Sequence, residues 1–263
     1  MNIAIGAQMY TLREYTQTVQ GLDEALAKVK AMGYNYVQLS GQNNGIDPQA
    51  VRDMLDKHAL KAPTTHISFQ MMQDDFAQVV KTHRLWGANY PGVGSMPPEY
   101  AQAGAEGFKR FAKDASVVAK QFKDEGMTFI YHNHDFEFIN YDGTIGYEIL
   151  LNESDPSLQM EMDTYWVQSG GGDPVHWIHA LKGRMDVIHF KDMEILPNPE
   201  GQRRIRQAFC EIGQGNLNWK TIFAACAETG VRYAFVEQDA TRRDSAYTSL
   251  KMSREFLTQS GFE

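Results

Sequence analysis

The chain has 263 residues, a formal net charge of −8 at pH 7, and ordinary fractions of hydrophobic (43%) and charged (22%) residues. That length suffices for one large core, either a single α/β barrel or two small domains. An acidic balance without a Lys/Arg cluster argues against nucleic acid as a partner. Cys210 and Cys226 form no C-x-x-C pattern, and no apolar segment is long enough to span a membrane. A reduced, soluble, cytoplasmic protein without a membrane partner is therefore expected.

Short β-branched or aromatic segments alternate with longer amphipathic segments along the chain, which is typical of repeated βα units around a parallel sheet. The pattern at residues 22–32 predicts a helix that stops at Gly33, and Gly87 and Gly126 follow later segments in the same way. Strands are predicted at residues 2–7, 36–39, 62–66, 89–93, 127–133, 158–163, 186–189 and 232–237.

Eight such units predict a (β/α)8 TIM barrel with residues 1–263 in a single domain. A doubly wound open sheet is the alternative. It is disfavoured because no G-x-G-x-x-G motif follows the first predicted strand. The glycines at 170–172 precede Asp173 and Pro174, a pattern that indicates a loop and a helix start rather than a phosphate cradle.

The segment Tyr-His-Asn-His-Asp-Phe-Glu at 131–137 closes the fifth predicted strand. Side chains alternate along a strand, so His132 and His134 lie on the same face. Two imidazoles at one strand end suit either metal binding or proton transfer. Taken alone, this segment does not define an enzyme.

Three other predicted strands end in residues that can bind metal, namely Asp163, His189 and Glu237. In a barrel the carboxyl ends of the strands converge on one cavity. Each residue also has a structural interpretation: His189 as a hydrogen-bonded histidine and Asp163 as a helix cap. Glu237 follows an apolar strand, where burial without a partner is costly. Together these residues predict a site for one divalent ion, Mn²⁺, Mg²⁺, Co²⁺ or Zn²⁺.

The order of several motifs resembles that of the xylose-isomerase-like TIM-barrel superfamily, in particular the sugar phosphate isomerase/epimerase group. The similarity extends over almost the whole chain. The matching segments are GAQMYTLR at 6–13, GYNYVQLSG at 33–41, TH at 65–66, YHNHDFE at 131–137, MDTYW at 162–166, HFKD at 189–192 and VEQD at 236–239.

The resemblance implies a metal held by a carboxylate from strand five, an Asp from strand six, a His from strand seven and a Glu from strand eight. Asp163, His189 and Glu237 match the last three, while His132 stands where the relatives carry glutamate. The relatives' paired glutamates act as two bases on opposite faces of a carbon. Here Glu237 is the first candidate base, and His132, His134 or Glu137 is the second.

Further candidates lie at other strand ends. Gln38 stands where the superfamily often has glutamate and is expected to face the substrate. His66 is a candidate proton shuttle, or a hydrogen-bonded barrel histidine. Lys191 is expected to neutralise an alkoxide or a phosphate, with a solvated surface position as the alternative. Tyr10 and Trp166 are expected to stack on a sugar ring or to serve in packing, and Trp166 replaces a histidine found in relatives.

The expected function is a metal-dependent isomerase or epimerase of a small keto or aldo sugar, its phosphate or a polyol, in carbohydrate metabolism, with proton transfer through an enediolate. The alternative is a lyase or dehydratase acting on a keto sugar or keto-glycoside. An abasic-site endonuclease and a non-catalytic sugar-binding protein are further alternatives. Association into a homo-oligomer stays open.

Overall fold

Eight parallel strands close into a barrel in the computed structural model, which describes residues 2–201 and 203–262. In chain order the strands are β1 (Ala4–Gln8), β2 (Tyr36–Leu39), β3 (Lys61–His66), β4 (Tyr90–Val93), β5 (Ile130–His132), β6 (Asn140–Tyr141), β7 (Thr144–Ile145), β8 (Gln159–Asp163), β9 (Val187–Phe190), β10 (Asp192–Pro197), β11 (Ile205–Cys210) and β12 (Tyr233–Val236). The barrel order is β1-β2-β3-β4-β5-β8-β9-β12, and β12 pairs with β1. The predicted (β/α)8 barrel is confirmed.

Helices follow the barrel strands and pack around the outside of the barrel. They are α1 (Val19–Ala31), α2 (Pro48–Lys57), α3 (Phe69–Asp74), α4 (Phe76–Trp86), α5 (Pro98–Ala101), α6 (Gly104–Asp124), α7 (Gly146–Glu153), α8 (Thr164–Ser169), α9 (Pro174–Ala180), α10 (Trp219–Thr229) and α11 (Ala246–Gln259). Over the described residues, none of these helices combines the length and the apolar character that crossing a membrane requires.

Local sequence signals explain where several helices begin and end. The side chain of Thr18 accepts a hydrogen bond from the Gly21 N–H, so α1 begins earlier than the predicted residue 22. Gly87 adopts the left-handed conformation directly after α4, as expected for a glycine stop. Asp173 caps α9 ahead of Pro174, which confirms the predicted loop and helix start.

All eight predicted strands overlap the observed barrel strands, with two kinds of difference. The strand predicted at 127–133 shortens to Ile130–His132 because its ladder partners on β4 and β8 cover only those residues. Two antiparallel hairpins, β6–β7 and β10–β11, were not predicted. They extend the loops that follow β5 and β9 at the carboxyl end of the barrel.

The barrel interior has an apolar layer below a polar one. Ile130, Val187 and Phe235 are fully buried and pack together with Tyr90. Alternate residues of a strand face inward, so the residues two positions further along these strands also point inside. Those residues are His132, His189 and Glu237. The apolar layer fills the lower barrel, so the polar side chains above it open toward the carboxyl end.

The outward-facing side chains of the strands form the main core with the helices. Tyr131 of β5, for example, faces α6, and its ring lies 5.3 Å from that of Phe111 between centroids. Neighbouring residues on one strand therefore have opposite environments. His132 faces the barrel interior, while Tyr131 faces the helix layer.

The close approach of β1 and β12 gives a testable prediction about stability. A Cβ atom at Gly6 would overlap the ring of Phe235 and would lie 3.0 Å from the Tyr36 carbonyl oxygen. We expect Gly6→Ala to lower the free energy of unfolding by about 1–3 kcal/mol through overpacking. Chemical denaturation measures the effect. The same change in a Phe235→Leu background should cost less, and an equal cost in both backgrounds would contradict the overlap.

Candidate active site at the carboxyl end of the barrel

Four buried side chains meet at the carboxyl end of the barrel, and each comes from a different strand. His132 ends β5, Asp163 ends β8, His189 lies on β9 and Glu237 follows β12 directly. One ligand atom from each lies within 4.8 Å of the others, a grouping that could hold a metal ion. The structure therefore brings together the four residues that the sequence proposed as ligands.

Hydrogen bonds orient two of these side chains. The Nδ1 atom of His132 lies 3.0 Å from the Gly94 carbonyl oxygen, which can only accept, so this nitrogen carries the proton. The Nε2 lone pair of His132 then faces Asp163 Oδ2 at 3.3 Å. Asp163 Oδ1 accepts from the Trp166 N–H at 3.0 Å. Asp163 thus caps α8 with one oxygen, which confirms the structural interpretation, and its other oxygen lies among the candidate ligand atoms.

His189 is oriented by acceptors on its other side. Its Nε2 atom lies 2.5 Å from Gln38 Oε1 and 3.2 Å from Glu161 Oε1. Both oxygens are acceptors, so Nε2 carries a proton, and Nδ1 faces Glu237 Oε2 at 3.0 Å, the position from which it would bind an ion after losing its own proton. Two imidazole nitrogens and two carboxylate oxygens therefore converge, and the Lys191 ammonium lies against the same two oxygens.

The spacing of these atoms fits a bound cation. Ligands about 2.1 Å from one ion, at the angles of tetrahedral or octahedral sites, stand about 3.0–3.4 Å apart. The His132 and His189 nitrogens lie 3.0–3.8 Å from the Asp163 and Glu237 oxygens. Burial would lower the pKa of His189, but Glu161 and Glu237 raise it to about 10. The same negative potential attracts a divalent ion.

Lys191 provides a cation beside this cluster. Its ammonium group is fully buried and lies 2.6 Å from Asp239 Oδ2, 2.8 Å from Glu237 Oε2 and 3.1 Å from Asp163 Oδ2. Burial would lower the pKa of Lys191, but the three carboxylates raise it above its ordinary value. Lys191 and His189 in turn hold the pKa of Glu237 well below its ordinary value despite burial. Glu237 is therefore anionic and Lys191 is cationic.

Glu161 is a further buried carboxylate that the sequence analysis did not select. It contacts His189 through Oε1, accepts a 2.8 Å hydrogen bond from Gln38 Nε2, and pairs with His66 Nε2 through Oε2. Its sequence signal is its position two residues before Asp163 on β8, which places both side chains on the inner face of the barrel. Asp239 was not selected from the sequence either, and its signal is likewise a spacing of two residues, here from Glu237.

His66 has both ring nitrogens engaged. Gln8 Oε1 accepts from the Tyr10 N–H at 2.9 Å, which turns the Gln8 amide nitrogen toward His66 Nδ1 at 3.3 Å. The Nε2 atom of His66 pairs with Glu161. In this arrangement neither nitrogen is free to exchange a proton with a substrate. The ring of His66 forms part of the cavity wall.

A cavity of about 260 Å³ opens above the cluster. Two buried nitrogens beside it, His134 Nδ1 and Trp166 Nε1, have no hydrogen-bond partner among the residues that the structure describes, and the two rings lie 5.0 Å apart between centroids. Burial lowers the pKa of His134 to about 3. A neutral imidazole and an indole N–H suit the recognition of hydroxyl groups. The cavity is lined by Tyr10, Ser40, His66, Gly94, Ser95, His132, His134, Glu237 and Asp239.

Two predicted site residues lie outside this cavity. Gln38 is fully buried below it, where its amide binds Glu161 and His189. Glu137 accepts hydrogen bonds from the Tyr131 hydroxyl at 2.5 Å and from the His134 N–H at 3.0 Å. Since Tyr131 belongs to the helix-facing side of β5, Glu137 is directed away from the cluster. Trp166 adjoins the site, with its ring 5.2 Å from Lys191 Nζ.

The fold and the site together define a class: a parallel (β/α)8 barrel with a buried His/Asp/Glu group at its carboxyl end that could bind a metal. Residues 26–257 match the model of the xylose isomerase-like TIM barrel family. The chain therefore belongs to that family, and the resemblance inferred from the sequence is confirmed.

Individual relatives carry different reaction names. A curated inosose dehydratase from Geobacillus kaustophilus is 25% identical over an alignment of 276 positions, which covers 92% of this chain and 87% of that protein. A sugar phosphate isomerase/epimerase structure from Parabacteroides distasonis has a TM-score of 0.81 at 21% identity, covering 100% of this chain and 96% of that one. An L-ribulose 3-epimerase structure has a TM-score of 0.71 at 14% identity, covering 98% and 94%. At these identities the two structures establish the fold alone.

The buried position of Glu137 predicts a pH effect on stability. Burial raises its pKa to about 8, although the Tyr131 hydroxyl partly opposes the shift. The folded state then binds one more proton than the unfolded state between pH about 4.5 and about 8, so stability falls as pH rises. Glu137→Gln should remove up to about 1.4 kcal/mol per pH unit of this dependence.

Thermal and chemical unfolding across this pH range measure the effect. Glu255→Gln, at an exposed position of α11, is the matched control and should leave the pH dependence of stability unchanged. A pH dependence that is identical in wild type and in Glu137→Gln would contradict the predicted protonation of this carboxyl group.

Proposed function

We propose that this protein is an enzyme that binds one divalent metal ion and removes a proton beside the carbonyl of a small, uncharged keto or aldo sugar or polyol derivative. Isomerisation through an enediolate is the favoured outcome. One observation carries the proposal: a ring nitrogen each of His132 and His189 and a carboxylate oxygen each of Asp163 and Glu237 lie within 4.8 Å of one another. Such a set of nitrogen and oxygen ligand atoms is expected for a divalent cation.

A divalent ion held by these four residues would supply Lewis-acid stabilisation of negative charge on substrate oxygens. Glu237 is the proposed base, because its anionic carboxylate borders the cavity. The Lys191 ammonium, 2.8 Å from Glu237, provides fixed positive charge for an oxyanion that develops beside it. The buried setting strengthens both effects, since water screens charges weakly there.

The distribution of acids and bases around the cavity favours a single base. Both carboxylates that line it, Glu237 and Asp239, follow β12 and so approach from the same side. His132 and His134 follow β5, where the first is oriented toward the cluster and the second stays neutral. One base can transfer a proton between neighbouring carbons of a sugar, whereas epimerisation calls for a second base on the opposite face. Isomerisation is therefore preferred over epimerisation.

The charges near the cavity favour an uncharged substrate over a phosphorylated one. The ammonium of Lys191 is already matched by three carboxylates. The guanidinium of Arg13 donates to the carbonyls of Tyr10 and Asp239. Among the residues that line the cavity, the ionised side chains are the acids Glu237 and Asp239, which would repel a phosphate.

Dehydration is the second candidate reaction. An enediolate that is not reprotonated can expel a hydroxyl group or a glycosidic oxygen from the neighbouring carbon. His132 stands at the strand-five position where the resemblance implies a second glutamate, which leaves one base for proton removal. The inosose dehydratase named above supports this alternative, since it matches most of the chain.

Metal binding is the first prediction of this proposal. We expect the purified protein to bind about one divalent ion per chain, measured by elemental analysis and calorimetry. Asp163→Ala and Glu237→Ala should lose it, because each removes a carboxylate ligand and leaves two imidazoles with one acid. Glu211→Gln, a buried carboxylate paired with Arg243 outside the cluster, is the matched control. Full occupancy in both alanine variants would refute the metal site.

Isotope exchange tests the reaction. Keto sugars, inososes and the phosphates of the sugars should be incubated with metal-replete protein in deuterated water and followed by NMR. Deuterium entering an intact sugar supports isomerisation or epimerisation, which the identity of the product distinguishes, whereas loss of water or of an aglycone supports the lyase. We expect turnover of an uncharged compound at a kcat/KM at least about tenfold above that of its phosphate. A preference for the phosphate would contradict the proposed substrate class.

A further inference from the structure

We propose that Glu161 is a positioning residue: it accepts from Gln38 Nε2, which turns Gln38 Oε1 toward the Nε2 proton of His189, and together the two oxygens keep Nδ1 of His189 directed at the cation. The inference rests on the proposed metal centre but concerns a residue outside the four ligands. Glu161 is fully buried on β8, below the cavity. It does not line the cavity, so it is expected to act through the histidines rather than on the substrate.

Both carboxylate oxygens of Glu161 act as hydrogen-bond acceptors. Oε1 receives the Gln38 amide at 2.8 Å and lies 3.2 Å from His189 Nε2. Oε2 pairs with His66 Nε2. Only a carboxylate offers acceptors at both positions, because an amide would present an N–H group on one side.

A chain of hydrogen bonds that begins at the Tyr10 backbone N–H makes His66 Nε2 the donor to Glu161. The Tyr10 N–H orients Gln8, and the Gln8 amide then donates to His66 Nδ1. His66 must therefore donate through Nε2, and the group facing it must accept. With an amide at position 161, either His66 or His189 would face a second donor.

His189 depends on this arrangement because its two nitrogens are chemically distinct. With the proton on Nε2, the nitrogen that faces Glu237 and His132 is a free ligand. With the proton on Nδ1, the same nitrogen would repel a cation. A carboxylate that accepts a hydrogen bond from the N–H of a ligating histidine also increases the basicity of the histidine's other nitrogen. Loss of such a partner typically costs about 10- to 100-fold in metal affinity.

The test is calorimetric titration of the metal-free protein with Zn²⁺ and, separately, with Mn²⁺. We expect Glu161→Gln to bind about 10- to 100-fold more weakly than wild type. Glu161→Asp retains the charge but is too short to reach both His189 and His66, so it should bind weakly as well. Wild-type affinity in Glu161→Asp would show that charge alone matters and would overturn the positioning role.

Two further measurements separate this role from general destabilisation. Glu211→Gln disrupts another buried carboxylate, which pairs with Arg243 and Ser249, and should retain wild-type metal affinity. Thermal unfolding of each metal-free variant reports whether it folds. Should Glu161→Gln not fold, the comparison rests on Glu161→Asp. A wild-type protein that binds no divalent ion would overturn the proposed function and this inference together, whereas unchanged affinity in the Glu161 variants would overturn the inference alone.

Discussion

The structure depends on how buried carboxylate charge is balanced inside the barrel. Glu161, Asp163 and Glu237 are almost entirely removed from solvent. Such burial costs several kcal/mol for an unpaired ion. Each carboxylate is therefore matched: Lys191 lies against Asp163 and Glu237, and His66 and His189 lie against Glu161. Removing one partner would leave the remaining charges uncompensated.

The barrel sets the direction in which these charges act. Its lower interior is filled by Ile130, Val187 and Phe235, so the polar layer above has access to solvent only through the carboxyl end. An apolar base also keeps the local dielectric low, which strengthens interactions between fixed charges and a substrate. Packing that looks purely structural thus contributes to the electrostatics of the candidate site.

The orientation of each histidine is decided by groups behind it. Gly94 determines the protonated nitrogen of His132, and Gln38 with Glu161 determines that of His189. His66, by contrast, is satisfied on both nitrogens by Gln8 and Glu161. Three histidines that are chemically identical in the sequence therefore differ in their surroundings: His132 and His189 direct a ring nitrogen at the Asp163 and Glu237 carboxylates, whereas His66 is bound by Gln8 and Glu161.

Two positions of the chain differ from what the family resemblance implies. His132 stands where the resemblance implies glutamate, and Trp166 where it implies histidine. Relatives of the same fold are named as epimerases and as a dehydratase, consistent with chemistry that is set by local side chains.

By itself, the sequence determined the barrel and the order of residues along it. Alternating strands and helices can be read locally, and His132, Asp163, His189 and Glu237 were recognisable because each closes an apolar strand. Only the tertiary structure decided what Glu161, Asp239 and Glu137 do. Glu161 and Asp239 acquire their roles from neighbours on other strands, and Glu137 turns toward Tyr131 and away from the cluster. Direction and hydrogen-bond partners arise from contacts between distant segments, which a local pattern does not encode.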